Sequence, residues 1–215
     1  MSIEATVVLP DSVAEQLRSS ILSQQDAPGS TITESAVALR FGVARPTARI
    51  AIERLVSEGL LRRERHHAAR VPELSRLDIV DLYDNRAVVE SAAIAALRSI
   101  PEDALAAHQS ILTSSASDEH DFARDDIAFH RALVAGQPSP RLTRMHATLM
   151  GEIELCIGQV QAARLLTATE VAEQHQGILD AITAGRSADA ARLTHEHIIT
   201  SRDALLAHVD RNTDG

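Results

Sequence analysis

The chain has 215 residues, 45% hydrophobic, 24% charged and 2% aromatic, with a formal net charge of −9. That length supports one or two domains with a buried core. The single cysteine, Cys156, excludes an intramolecular disulfide, no apolar run approaches the roughly 20 residues of a membrane span, and the scarcity of aromatics argues against a β-barrel or a base-stacking platform. Glu4 stands near the start and no basic segment precedes an apolar one, so no secretory signal is read and the cytoplasm is the expected compartment.

Charge is unevenly spread. Residues 1–72 carry a net charge of +1 and residues 73–215 one of −10. Within 40–70, 8 Arg face only Glu53, Glu58 and Glu64, a local net charge of +5. A basic patch in an acidic protein is a candidate phosphate footprint. Two domains follow, 1–72 and 73–215.

In chain order, Val13, Leu17, Ile21 and Leu22 share one face of a helix over about 11–24. Asp26-Ala-Pro28-Gly29-Ser30 is a turn. Thr33 can cap a second helix, about 33–41, and Gly42 can close it in the left-handed conformation. A third helix runs from about 44 to 58 with Pro46 in its first turn, where the missing N–H costs nothing. Gly59 stops it. Leu60–Glu64 and Ala68–Val71 read as two short strands around a tip at Arg65-His66-His67.

Two short helices joined tightly, the second rich in Arg, make a helix-turn-helix, and the trailing hairpin makes it winged. Arg45 and Arg49 are four apart and project from one face near the helix start. An Arg there can donate two hydrogen bonds to guanine, and Thr47 can meet a phosphate or a thymine methyl. The plainer reading of each Arg is a surface ion pair, such as Arg49 with Glu53.

The ordered series Pro28-Gly29, Phe41-Gly42-Val43-Ala44-Arg45-Pro46-Thr47-Ala48-Arg49-Ile50-Ala51-Ile52, Leu55 and Glu58-Gly59-Leu60 resembles the winged-helix domain of GntR-family transcription regulators. The resemblance implies double-stranded DNA as partner. It places Arg45, Thr47, Arg49, Ser35 and the wing-tip His66 at that DNA. The chain departs from the family at three points. Ala44 stands where a capping Ser or Thr is usual, Ser35 where some members carry Arg, and the wing tip lacks its usual Gly.

Residues 73–215 read as helix throughout, over about 75–99, 101–115, 118–136, 139–166, 168–184 and 187–209. The breaks fall at Pro101, Ser114–Ser117, Gln137–Pro140, Thr167 and Ala184–Gly185, and the tail from Asn212 is expected to fray. Thr167-x-x-Glu170 is a capping-box pattern. Six helices with short connections predict an antiparallel bundle. The fold class is mostly α, a winged helix-turn-helix followed by an all-α six-helix bundle.

Asp126 and His130 are i,i+4 on the third bundle helix and share a face with Ala123, Ile127, Leu133 and Val134. An inward-facing Asp and His need partners, and a metal is one way to supply them. Asp with imidazoles suits zinc, nickel or manganese. His175 lies beside Ile178 and Leu179, and His197 beside Ile198; His195 and His197, two apart, cannot both face one point. Any lone His is more often hydrogen-bonded or exposed than a ligand.

The order Asp126-Ile-Ala-Phe129-His130, then His175-Gln-Gly-Ile178 with Ala181-Ile182, then Ala191 through His197 resembles the FCD domain, the helical effector domain of FadR-type GntR regulators. The helix count is closer to its six-helix, VanR-like branch. The resemblance implies a divalent metal, zinc first, on Asp126, His130, His175 and His197, and not on His195. Arg86 and Glu90 match its "R..vE" segment, which places Arg86 at the effector pocket, where its fork suits a carboxylate. A salt bridge from Arg86 to Glu90 or Asp126 is the equal alternative. Gln137 stands where Asn is common.

The reading is a ligand-responsive transcription regulator, a repressor by family habit and not an enzyme. It implies a homodimer on a pseudo-palindromic operator, a small organic acid as effector, and no membrane partner. Two other readings compete with it. One is a metalloenzyme with Glu152 or His146 as base, which leaves the winged helix unexplained. The other is a DNA-binding structural protein whose bundle only dimerises.

Overall fold

The computed structural model describes residues 10–114 and 122–213. The chain divides into two compact units between Glu73 and Leu74.

In the first unit, α1 spans Pro10–Leu22, β1 Thr31–Ile32, α2 Glu34–Phe41, α3 Arg45–Ser57 and β2 Ala69–Arg70. α1 and α2 both pack on α3. Val13, Ala14, Leu17 and Ile21 of α1 are buried, as are Val37 of α2 and Ala48, Ala51, Ile52 and Leu55 of α3. Burying these side chains is what holds three short helices that would be marginal alone. Thr33 caps α2, its hydroxyl accepting from the Ala36 N–H at 3.1 Å. Gly42 closes α2 at φ +64, a conformation in which other residues are strained. Ala44 leaves the start of α3 without a side-chain cap.

The wing differs from expectation. The partner of β2 is β1, antiparallel, with Thr31 opposite Arg70 and Ile32 opposite Ala69. Of the expected strand at 60–64, only an isolated bridge between Arg62 and Arg70 forms. The reason lies in Leu60 and Leu61, which are both fully or almost fully buried. Consecutive buried residues break the alternation a strand needs, so the segment serves as core and its ladder shortens.

The second unit contains α4 Arg76–Ala95, α5 Glu102–Ser114, α6 Phe122–Ala135, α7 Pro140–Ala162, α8 Ala168–Thr183 and α9 Ser187–Thr213. They form the six-helix antiparallel bundle. Capping boxes open α4, from Ser75 and Asp78, and α8, from Thr167 and Glu170. α4 packs on α9, α7 and α6, while α5 packs on α6 and α8. One core cluster joins Ile94, Leu97, Phe129, Leu133, Ile178 and Leu179. The break expected at Ser114–Ser117 and the helix start expected at 118 lie outside the described residues, apart from Ser114. α9 continues through Asn212 and Thr213, where fraying was expected. Among the described residues, no helix is long and apolar enough to cross a membrane.

Candidate metal centre and nucleic-acid interface

α3 buries one side and presents the other. Arg45 and Arg49 are exposed, and Thr47 is half-buried. Ser35 is exposed on α2, and His66 is exposed at the wing tip with φ +67. That left-handed φ fits a tip where glycine is usual. The alternative pairing of Arg49 with Glu53 does not form. Arg49 Nε donates to Glu34 Oε1 at 2.9 Å, across from α2 to α3, and Glu53 takes Arg63.

Glu58, at the end of α3, is a junction. Arg54 donates to it at 2.9 Å and Arg18 of α1 is its second cation. Burial pushes its carboxyl up, but the two guanidiniums outweigh that and hold it below the usual range.

In the bundle, α6 supplies Asp126 and His130 one turn apart, α8 supplies His175 and α9 supplies His197. All four are buried, and one donor atom from each lies within 4.8 Å of the others. Asp126 Oδ1 is 3.1 Å from His175 Nε2, 3.6 Å from His130 Nε2 and 3.8 Å from His197 Nε2. His195 is exposed, as the two-residue offset requires.

The protons decide what such a cluster can hold. His197 Nδ1 faces Gln174 Oε1 at 2.6 Å, and an amide oxygen only accepts, so Nδ1 carries the proton. His130 Nδ1 lies 2.6 Å from Glu90 Oε2, off the line of a straight hydrogen bond but beside an acceptor-only carboxylate. The Nε2 atoms of these two rings are then lone-pair donors, and they face each other at 3.0 Å. Two lone pairs tolerate that distance only with a cation between them, a proton or a metal. Asp126 Oδ1 and His175 Nε2 have no hydrogen-bond partner although both are buried. Donors about 2.1 Å from a zinc ion stand roughly 3.0–3.4 Å apart along the edges of a tetrahedral or octahedral shell. The group fits a divalent metal, and its carboxylate and imidazoles are the donors such ions take.

Electrostatics agree for His175 and His197, whereas burial lowers His130 but Glu90 and Asp126 outweigh it and push that ring up, so without a metal the proton between the two Nε2 atoms sits on His130. Burial pushes the Asp126 carboxyl up, but the His130 and His175 imidazoles beside it outweigh that and hold the group well below the carboxylate range. Burial pushes His175 down to about 4. His197 is also held well below its usual value, by burial and by the neighbouring imidazoles. Both rings are therefore neutral near pH 7, the state a ligand needs.

Arg86 is 1% exposed. Its Nε donates to Glu90 Oε1 at 2.8 Å, so the bridge to Glu90 forms. Its Nη2 has no hydrogen-bond partner. Glu90 also receives His146 Nε2 at 2.9 Å. One buried carboxylate thus ties Arg86 and His146 to the metal-ligand candidate His130. His146, weighed as a catalytic base, is engaged here instead. The sequence offers Glu90 only as a salt-bridge partner of Arg86 and His146 only as a base in the enzyme reading, and it gives Gln174 no role. The i,i+4 spacing of Arg86 and Glu90 was the available signal for the first; nothing in the sequence pairs Gln174 with His197. The buried thiol of Cys156 is pushed up to about 12 by burial and stays protonated.

Comparison with known proteins agrees with both units. Residues 9–71 match the gntR family of bacterial regulatory proteins, and residues 81–200, more than half of the chain, match the FCD domain. The chain is 26% identical over 211 residues to a probable D-xylose utilization operon transcriptional repressor of Paenarthrobacter nicotinovorans, covering 94% of this chain and 92% of the relative. It is 26% identical over 198 residues to the HTH-type transcriptional repressor GlaR of Escherichia coli K12, covering 86% and 90%. A crystal structure of a GntR transcriptional regulator from Rhodococcus sp. RHA1 superposes with a TM-score of 0.77 at 24% identity, covering 92% of this chain and 97% of that one, which shows a shared fold. The chain belongs to the GntR family of bacterial transcription regulators, in the group whose second unit is an FCD domain, and these families are regulators and not enzymes.

Proposed function

We propose that the protein is a ligand-responsive repressor whose bundle binds a divalent metal, zinc before nickel or manganese, and a small organic acid. The observation that carries this reading is the convergence of Asp126, His130, His175 and His197 beside a buried Arg86 with an unpartnered Nη2. A bound metal would supply a Lewis-acidic centre for one carboxylate oxygen. Arg86 Nη2 would donate to the same acid, and Glu90 would keep both Arg86 and His130 in place. The Nδ1–H of His197, held by Gln174, keeps its Nε2 turned to the centre.

In the first unit, Arg45 and Arg49 would read base edges in the major groove, with Thr47, Ser35 and His66 at phosphate or groove. Arg49 must leave Glu34 to do so; the pair is largely exposed and so weak. Two copies would place two recognition helices on two half-sites of a pseudo-palindrome. The relatives named as repressors support repression, and on this reading the acid would release the operator. Any such release is limited to the acid's differential affinity for the two states. The domain roles follow, DNA binding for 1–72 and effector binding with dimerisation for 73–215, in the cytoplasm.

The test is metal content of the purified protein by mass spectrometry, with His130→Ala and His175→Ala alongside. About one divalent metal per chain in the wild type, lost in both variants, is expected. Chelation should lower the melting temperature of the wild type and leave the variants unchanged. Full metal content in both variants would contradict the site.

A further inference from the structure

We propose that Ile50 reads the 5-methyl group of a thymine in the operator's major groove. This rests on the reading above that α3 enters the groove. Ala48, Ala51, Ile52 and Leu55 bury the core side of α3. At about 100° per residue, Ile50 and Pro46 lie on the opposite side, with Arg49 and Glu53 on one flank and Arg54 on the other. Ile50 is 56% exposed, on an otherwise polar and charged face.

A β-branched residue there gives the isolated unit little. It loses rotamer freedom in the helix and leaves much of its side chain in water. Its burial becomes favourable once another surface covers it. Between the guanidinium of Arg49 and the first turn at Pro46, that surface is a base edge. The major groove offers one apolar base group, the thymine methyl, and an aliphatic side chain is its natural contact. Glu53 does not compete for the position, because Arg63 holds its carboxylate to the side. The neighbours divide the task by chemistry, Arg49 for a purine acceptor edge and Ile50 for the adjacent methyl.

The test uses DNA that the full-length protein itself selects from a random duplex library. Each thymine of the selected sequence is replaced singly by deoxyuracil, which removes only the methyl. Affinities for wild type, Ile50→Ala and Arg49→Ala are measured at one fixed salt concentration. One position per half-site should lose about three- to fivefold in wild-type affinity, the value of one buried methyl. Ile50→Ala should bind the thymine operator about that much more weakly and be indifferent to deoxyuracil at that position. Ile50 is exposed, so the variant's melting temperature should match wild type. Wild-type indifference to every replacement, or unchanged discrimination in Ile50→Ala, overturns the proposal. A selected sequence bound equally well by Arg49→Ala overturns instead the reading of α3 as the recognition helix, and Ile50 with it.

Discussion

Glu90 is fully buried and still ionised, because its partners are placed on every side of it. Burial alone would raise its carboxyl; Arg86 and His130 bring it well below the usual range. Asp126 follows the same logic with His130 and His175. Burying two carboxylates and a guanidinium whose Nη2 has no hydrogen-bond partner is costly even with the ion pairs they make. The sequence shows Asp126 and His130 on one face because i,i+4 spacing is a property of the helix itself. It does not show Gln174 against His197 or His146 against Glu90. Those contacts join different helices, and only packing sets them. The cap of α3 is legible residue by residue. Ala44 supplies no side-chain acceptor, so the N–H groups of the first turn of α3 lack the cap that a Ser or Thr would give. Ala44→Ser is expected to stabilise the protein by about 1 kcal/mol in denaturant titration. No change, or a loss, would mean the start of α3 is already satisfied in solution.

At the scale of elements, helices were easier to read than strands. Thr33, Gly42, Pro46, Thr167 and Glu170 each sit at the terminus their chemistry suits, and the helix ends fall within a few residues of them. The two-residue strand Thr31–Ile32 has no such marker, and its partner is chosen by tertiary packing. The same packing converts Leu60–Leu61 from strand to core. Arg54 ties α3 to Asp11 and Glu15 of α1 directly, and Arg18 of α1 reaches Glu58, whose folded pKa lies below its unfolded value. A depressed carboxylate contributes stability above its unfolded value, near 4.5, and loses it as pH falls through the folded value. Wild type should therefore lose stability more steeply with acid below about pH 4.5 than Glu58→Gln does, followed by chemical denaturation at several pH values. Parallel curves for the two proteins would show that the pairs of Glu58 with Arg18 and Arg54 add nothing in solution.

At the scale of the molecule, charge and function divide together. The excess of Arg lies between residues 40 and 70, where the helix-turn-helix stands, and the acidic excess lies in the bundle. A phosphate backbone attracts the first and repels the second, which favours DNA contact through the helix-turn-helix. The bundle buries a cluster of ionisable side chains, Arg86, Glu90, Asp126, His130, His175 and His197, whereas among the described residues of the first unit the buried polar side chain is the neutral Ser20. The most direct measurement is a fluorescence-anisotropy titration of wild type and Arg49→Ala against duplex DNA from upstream of the protein's own gene, at fixed salt with competitor DNA. Tight binding by the wild type that falls to the level of unrelated DNA in Arg49→Ala, with an unchanged melting temperature, is the result expected of an operator-reading repressor. Equal affinity of the two proteins for that DNA and for unrelated DNA would contradict it.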